Sequence, residues 1–196
     1  MTNVTTTGTI KKESAITCIF GGSFNPPHVA HVLCAVSVLA THEVARFIVV
    51  PTFQHPFAKT LADYDTRLRM CNAALGWLPR VEVSSVERDL GGESRTLRTL
   101  EYFRRQHPEW SMRLVMGADL LAESPKWHAF DQIRELAPPL VLGRAGVNAQ
   151  EAPRVLLPEI SSTEIRDLVR EEKWGDLAVL VPRDVVAIIR QEGLYQ

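Results

Sequence analysis

Two glycines, two prolines and two histidines crowd into one short segment, Gly21-Gly22-Ser23-Phe24-Asn25-Pro26-Pro27-His28-Val29-Ala30-His31. Imidazoles at this spacing share one face of a helix, and both can donate to phosphate oxygens. Glycines let a ligand approach the backbone, and a helix start adds N–H groups and the positive end of its dipole. Each part alone has a plainer reading: Gly-Gly is a turn, and a His pair on a helix is commonly structural or solvated. Zinc would need a third ligand, and His28-Val29-Ala30-His31 lacks the acid of the HExxH pattern. Together, between a strand and a helix, the residues point to phosphate binding.

A second segment, Ile160-Ser161-Ser162-Thr163-Glu164-Ile165-Arg166, offers hydroxyls that cap a helix, with Glu164 and Arg166 in its first turn. An ordinary capped helix accounts for it. The alternative is an anion site made of hydroxyls, helix N–H groups and a guanidinium fork. Two such sites at the ends of one sheet would suit a triphosphate lying between them. In a third segment, Val115–Trp127, Gly117 ends a strand. Asp119 either caps a helix or accepts from ribose hydroxyls, and Trp127 either packs or stacks on a flat ring. Lys59, Arg95, Arg98 and Arg144 are cations of a kind that is mostly solvated.

The elements that must hold these residues are visible as apolar runs and helical spacings. Ala15–Phe20 is rich in β-formers and ends at the two glycines, so it predicts a buried strand. His28 to His42 predicts a helix, with Val29, Val32, Leu33, Val36 and Leu39 at helical spacing. Further strands are expected at Arg46–Val50, Val81–Ser84, Met112–Met116, Leu140–Leu142 and Val155–Leu157. Helices are expected at Asp65–Leu75, Thr96–Gln106, Ser162–Glu172 and Arg183–Gln191. This alternation predicts an α/β fold: a doubly wound, mainly parallel sheet of five or six strands with helices on both faces. Such sheets bind ligands beyond the carboxyl ends of their strands.

Composition bounds the rest. The 196 residues carry 22 Lys and Arg against 23 Asp and Glu, a net charge of −1, which disfavours a dedicated nucleic-acid binder but not one phosphate pocket. Residues 1–14 read as a polar tail and 15–196 as a single domain. No Asp, Glu, Lys or Arg occurs between Glu13 and Glu43, yet the glycine–proline segment in the middle rules this stretch out as a membrane span. The polar start lacks a signal peptide's apolar core, so a cytoplasmic protein is expected. Three cysteines without a CxxC pair suit a reducing compartment and buried thiols.

The first segment resembles the nucleotidyltransferase signature GGTFDPPHxGH, and Ser161–Arg166 resembles its second signature, SSTxIR. More of the chain is similar to one branch, the bacterial nicotinate-nucleotide adenylyltransferases. Met116–Trp127 resembles that branch's GADxxxxxxxW segment, Arg95–Pro108 its Thr-containing helix, and Val181–Tyr195 its usual carboxyl terminus. The resemblance runs from about Thr17 to Tyr195. Ala30 replaces the Gly of H-x-G-H, Asn25 stands where Asp is commoner, and the usual PPHK reads His55-Pro56-Phe57-Ala58-Lys59. Arg95 and Arg98 replace an aromatic and an acid in the segment that helps frame the pyridine site, which leaves nicotinate against nicotinamide open.

The resemblance implies a Rossmann-like fold and a reaction of ATP with nicotinate mononucleotide that forms deamido-NAD and pyrophosphate. An ionised phosphate attacks the α-phosphorus, so no general base is required, and catalysis rests on positioning and charge stabilisation. By motif match, His31 stabilises the transferring α-phosphate and His28 holds the triphosphate, with backbone contacts from Gly21, Gly22, Ser23 and Phe24. Ser162 and Arg166 hold the outer phosphates, and Thr163 mainly caps its helix. Gly117 and Asp119 face the adenosine. Trp127 stacks on the pyridine ring beside Thr96, and Lys59 and Arg144 are candidates for a phosphate. Mg²⁺ is expected to arrive with ATP rather than in a protein cage. No nucleic-acid or membrane partner is expected, and a homo-oligomer is left open.

Overall fold

A computed structural model describes residues 15–54, 61–123, 127, 129–145 and 155–196. Among the described residues, six strands form one sheet: β1 (Ile16–Gly22), β2 (Val44–Pro51), β3 (Val81–Val83), β4 (Met112–Gly117), β5 (Pro139–Arg144) and β6 (Val155–Leu157). Their order is β3-β2-β1-β4-β5-β6, and each neighbouring pair is parallel. The chain winds outward from β1 in one direction and then restarts at β4, so the reversal of strand order lies between β1 and β4. At such a point the connections leave to opposite sides and open a crevice at the carboxyl ends.

The helices are α1 (Val29–Thr41), α2 (Tyr64–Leu75), α3 (Val86–Leu90), α4 (Thr96–Gln106), α5 (Ala118–Glu123), α6 (Phe130–Leu136), α7 (Ser162–Arg170), α8 (Trp174–Leu180) and α9 (Arg183–Gln191). Strand residues alternate between two cores, as a two-residue period demands. Cys18, Phe20, Phe47 and Val49 pack with α1, α2, α7 and α9 on one face. Ile19, Ile48, Val50 and Leu114 pack with Leu100 and Phe103 of α4 and Ile133 of α6 on the other. Burial on both faces explains why the central strands read as continuous apolar runs. Among the described residues, no helix is long and apolar enough to cross a membrane.

The charge-free stretch therefore contains β1, the following loop and α1, whose Cys34, Ala35 and Val38 are fully covered. All three cysteines are buried and unpaired. Burial pushes the Cys18 thiol up to about 11, with Arg113 pulling the other way.

Candidate functional site

The crevice begins where β1 ends. A Cβ built on Gly21 would meet open space, while one on Gly22 would press into the Phe24 ring at 3.2 Å. Phe24 turns the chain with a φ of 45°, a left-handed conformation that is unfavourable for a residue with a Cβ. Its ring, 1% exposed, stands edge-on to Phe20 (5.5 Å between centroids) and to His31 (4.9 Å). The cis Asn25–Pro26 bond and Pro27 then deliver the chain to His28.

His28 is the N-cap of α1, in extended conformation and nearly buried, and His31 lies one turn further on. The two rings lie 3.8 Å apart with 34° between their planes. The backbone N–H of His28 donates to Nδ1 of His31 at 3.0 Å. A neutral His31 must then carry its proton on Nε2, so that nitrogen is the donor.

The second signature docks directly onto this loop. Ser161, rather than Thr163, caps α7: its Oγ accepts from the Glu164 N–H at 3.1 Å, and the Glu164 carboxylate reaches back to the Ser161 N–H. The capping role expected for Thr163 is therefore corrected, because its Oγ1 instead accepts from Arg166 at 3.1 Å. The Ser162 hydroxyl donates to the Pro26 carbonyl at 2.9 Å. Arg166 donates to the Asn25 carbonyl at 2.8 Å and to the Ser162 carbonyl at 3.1 Å. Segments far apart in sequence are thus tied together around one turn.

On the β2 side the organiser is Arg67, which its sequence did not single out. Only 1% exposed, its guanidinium donates to the carbonyls of Ala62 (2.9 Å), Ser23 (3.0 Å) and Thr52 (2.8 Å). It also lies over the Tyr64 ring. Burial pulls its pKa below the ordinary arginine value. The sequence did hold a signal: Tyr64, Arg67, Met70, Cys71 and Ala74 share the buried stripe of α2, so a cation sits where only apolar residues belong.

Glu87, half-buried, is a second organiser. Its carboxylate accepts from the Phe53 N–H (3.1 Å) and the Thr99 hydroxyl (3.3 Å), and burial raises its pKa. Ser94 accepts from the N–H groups of Phe53 and Gln54, which binds the end of β2 to the approach of α4. Thr96, half-buried, opens α4. Arg98 donates to the Gly91 and Leu90 carbonyls, and Arg95 pairs with exposed Glu93 at 2.7 Å. Both arginines that depart from the motif are therefore engaged by their own loops.

Across the reversal, β1 pairs Ile19 with Leu114, and continuing that register sets Gly22 level with Gly117. A Cβ on Gly117 would collide with the Asp119 carboxylate, so glycine is what lets Asp119 fold back over the strand end. Trp127 packs edge-to-face with Phe130 at 6.1 Å against the α4–α6 core. Lys59 lies outside the described residues, as does the Arg144 side chain, whose backbone closes β5. Among the described residues, no group of three His, Cys, Asp or Glu could hold a metal ion.

The chain is similar to known proteins. The cytidylyltransferase-like family matches residues 19–168. A protein of Anaeromyxobacter sp. strain K, named "probable nicotinate-nucleotide adenylyltransferase", is 43% identical over 182 residues, covering 91% of this chain and 95% of its own. A Myxococcus xanthus protein of the same name is 40% identical over 182 residues, covering 90% and 93%. The fold matches Plasmodium falciparum nicotinic acid mononucleotide adenylyltransferase complexed with NaAD. That match has a TM-score of 0.77 and 21% identity, and it covers 93% of this chain and 98% of the other.

Proposed function

Because the chain belongs to the cytidylyltransferase-like family, in its nicotinate-nucleotide adenylyltransferase branch, we propose that this site joins ATP to nicotinate mononucleotide. The products are deamido-NAD and pyrophosphate. An oxygen of the mononucleotide phosphate forms a bond to the α-phosphorus of ATP, and the bond from that phosphorus to the bridging oxygen of pyrophosphate breaks in line. The attacking oxygen is already ionised, so the site needs donors and positioning rather than a base.

The observation that carries this reading is the junction of the two signatures at the strand-order reversal, with Ser162 and Arg166 both bound to the turn that leads into His28. In this reading Nε2–H of His31 meets the charge that develops on the α-phosphate, and His28 holds the triphosphate beside it. The open space at Gly21 admits the phosphates to the backbone of Gly22, Ser23 and Phe24. Ser162 and Arg166 turn toward the outer phosphates, exchanging carbonyl partners for phosphate oxygens, while Thr163 steadies Arg166 beside them. Gly117 and Asp119 take the adenosine. Thr96 and Trp127, with Lys59 and Arg144, take the acceptor.

Mg²⁺ enters this reading as the cation that accompanies ATP, held chiefly by phosphate oxygens and water. When bound it neutralises charge on the phosphate oxygens. A cytoplasmic setting belongs to the same reading. The test is incubation with ATP and either nicotinate or nicotinamide mononucleotide, following pyrophosphate and identifying the dinucleotide by mass. Faster turnover with nicotinate mononucleotide supports the proposal, and no pyrophosphate with either acceptor refutes it.

A further inference from the structure

The loop that carries His28 and His31 is held at a third point, from the far end of the chain. The turn after α9 runs through Gly193 (φ 59°), where the Leu194 N–H donates to the Ile189 carbonyl. Leu194 and Tyr195 pack against the α1–α2 core. Tyr195 has a φ of 67°, left-handed for a residue with a side chain, so its placement is imposed by what the ring and hydroxyl contact. The hydroxyl donates to Oδ1 of Asn25 at 2.9 Å. The same oxygen accepts from the Ala62 N–H at 3.0 Å, and the Asn25 carbonyl accepts from Arg166 at 2.8 Å. Asn25 is 3% exposed and lies three positions before His28.

We infer that Tyr195 is a positioning residue for adenylyl transfer. Its hydroxyl fixes Asn25, and through Asn25 it fixes the turn that aims His28 and His31. This rests on the adenylyl-transfer reading above. Three elements converge on one residue: the carboxyl-terminal turn, the segment entering α2, and α7. Tyr195, Asn25, Arg166 and Arg170 also line one cavity of about 460 Å³, so the hydroxyl borders the same space as the guanidinium proposed to hold phosphate. Burial raises the hydroxyl's pKa, which keeps it a donor at neutral pH. Removing the hydroxyl leaves Asn25 one fixed donor fewer and lets the turn shift. Transfer geometry is sensitive to displacements of a fraction of an ångström to an ångström.

The test is Tyr195→Phe in the full chain, which keeps the ring and its packing. The expected result is a kcat lowered about tenfold with the KM for the acceptor changed less than about threefold. Amide hydrogen exchange should be faster in the peptide covering residues 24–31. In an Asn25→Ala background, Tyr195→Phe should add less than a twofold further loss, because both changes cut the same path. A Tyr195→Phe protein with wild-type exchange across residues 24–31, or with wild-type kcat and a lowered melting temperature alone, overturns the inference. A wild-type protein that releases no pyrophosphate would refute the adenylyl-transfer reading instead, and the exchange measurement would then decide the positioning claim by itself.

Discussion

His31 accepts, through Nδ1, the backbone N–H of His28 at 3.0 Å. The helix thus satisfies one of its orphan N–H groups with the His31 ring, and in doing so selects that ring's tautomer. Nitrogen-15 NMR of imidazole-labelled protein at neutral pH should find the His31 proton on Nε2. A proton on Nδ1 would mean that this bond is absent in solution.

Arg166 has two partners it can exchange and one it shares with the loop. Replacing it with Ala removes charge-assisted bonds, each worth about 1.5–3 kcal/mol. The KM for ATP should rise about tenfold or more, with a smaller drop in kcat because the Asn25 carbonyl loses its donor. Thr163→Ala, which removes only an oxygen that steadies Arg166, should have a milder effect in the same direction. Steady-state kinetics over ATP concentration separate the two. A variant that only melts earlier would make Arg166 a structural residue.

Arg67 joins the carbonyls of Ser23, Thr52 and Ala62 and cannot be exchanged in this way. Arg67→Met fills much of the volume but strands those acceptors, at about 1–3 kcal/mol for each that finds no new donor. Urea unfolding should show a loss of several kcal/mol, about 3 or more on the same scale. Arg67→Lys, a point charge in place of a fork, should recover only part of it.

Glu87 titrates with a raised pKa in the folded protein because burial disfavours its charged form. The folded state therefore holds this proton to higher pH than the unfolded chain does. The stabilising contribution is complete below the ordinary glutamate pKa and declines as pH rises toward the raised value. Glu87→Gln lacks this titration. Melting curves from about pH 4 upward should show wild type losing stability relative to the variant as pH rises through that window. A difference that does not vary with pH would remove the effect.

Strand positions, helix alternation and both phosphate segments were legible because each rests on local pattern: apolar runs, glycines at strand ends, and hydroxyls before a helix. The boundaries of α1, α2, α4 and α9 fell within a residue or two of expectation. What escaped was held by long-range contacts. Helices α3, α6 and α8 have five or seven residues, too few for a helical period to show. The role of Arg67 required knowing that three carbonyls from different loops meet above α2. Thr163 was expected to cap α7, yet Ser161 does so, because the helix starts two residues earlier than a Thr163 cap would require. Arg95 and Arg98 could have faced the acceptor by sequence, but nearby loop groups engage both.

The central claim is that a pre-aimed imidazole, rather than a general base, makes adenylyl transfer fast. The most direct measurement is kcat together with ATP affinity for His31→Ala. Losing one donor to a developing oxyanion costs about 3–4 kcal/mol, so kcat should fall about 100- to 1,000-fold while the Kd for ATP moves less than about threefold. A variant that turns over at the wild-type rate, or that fails only in binding ATP, would contradict it.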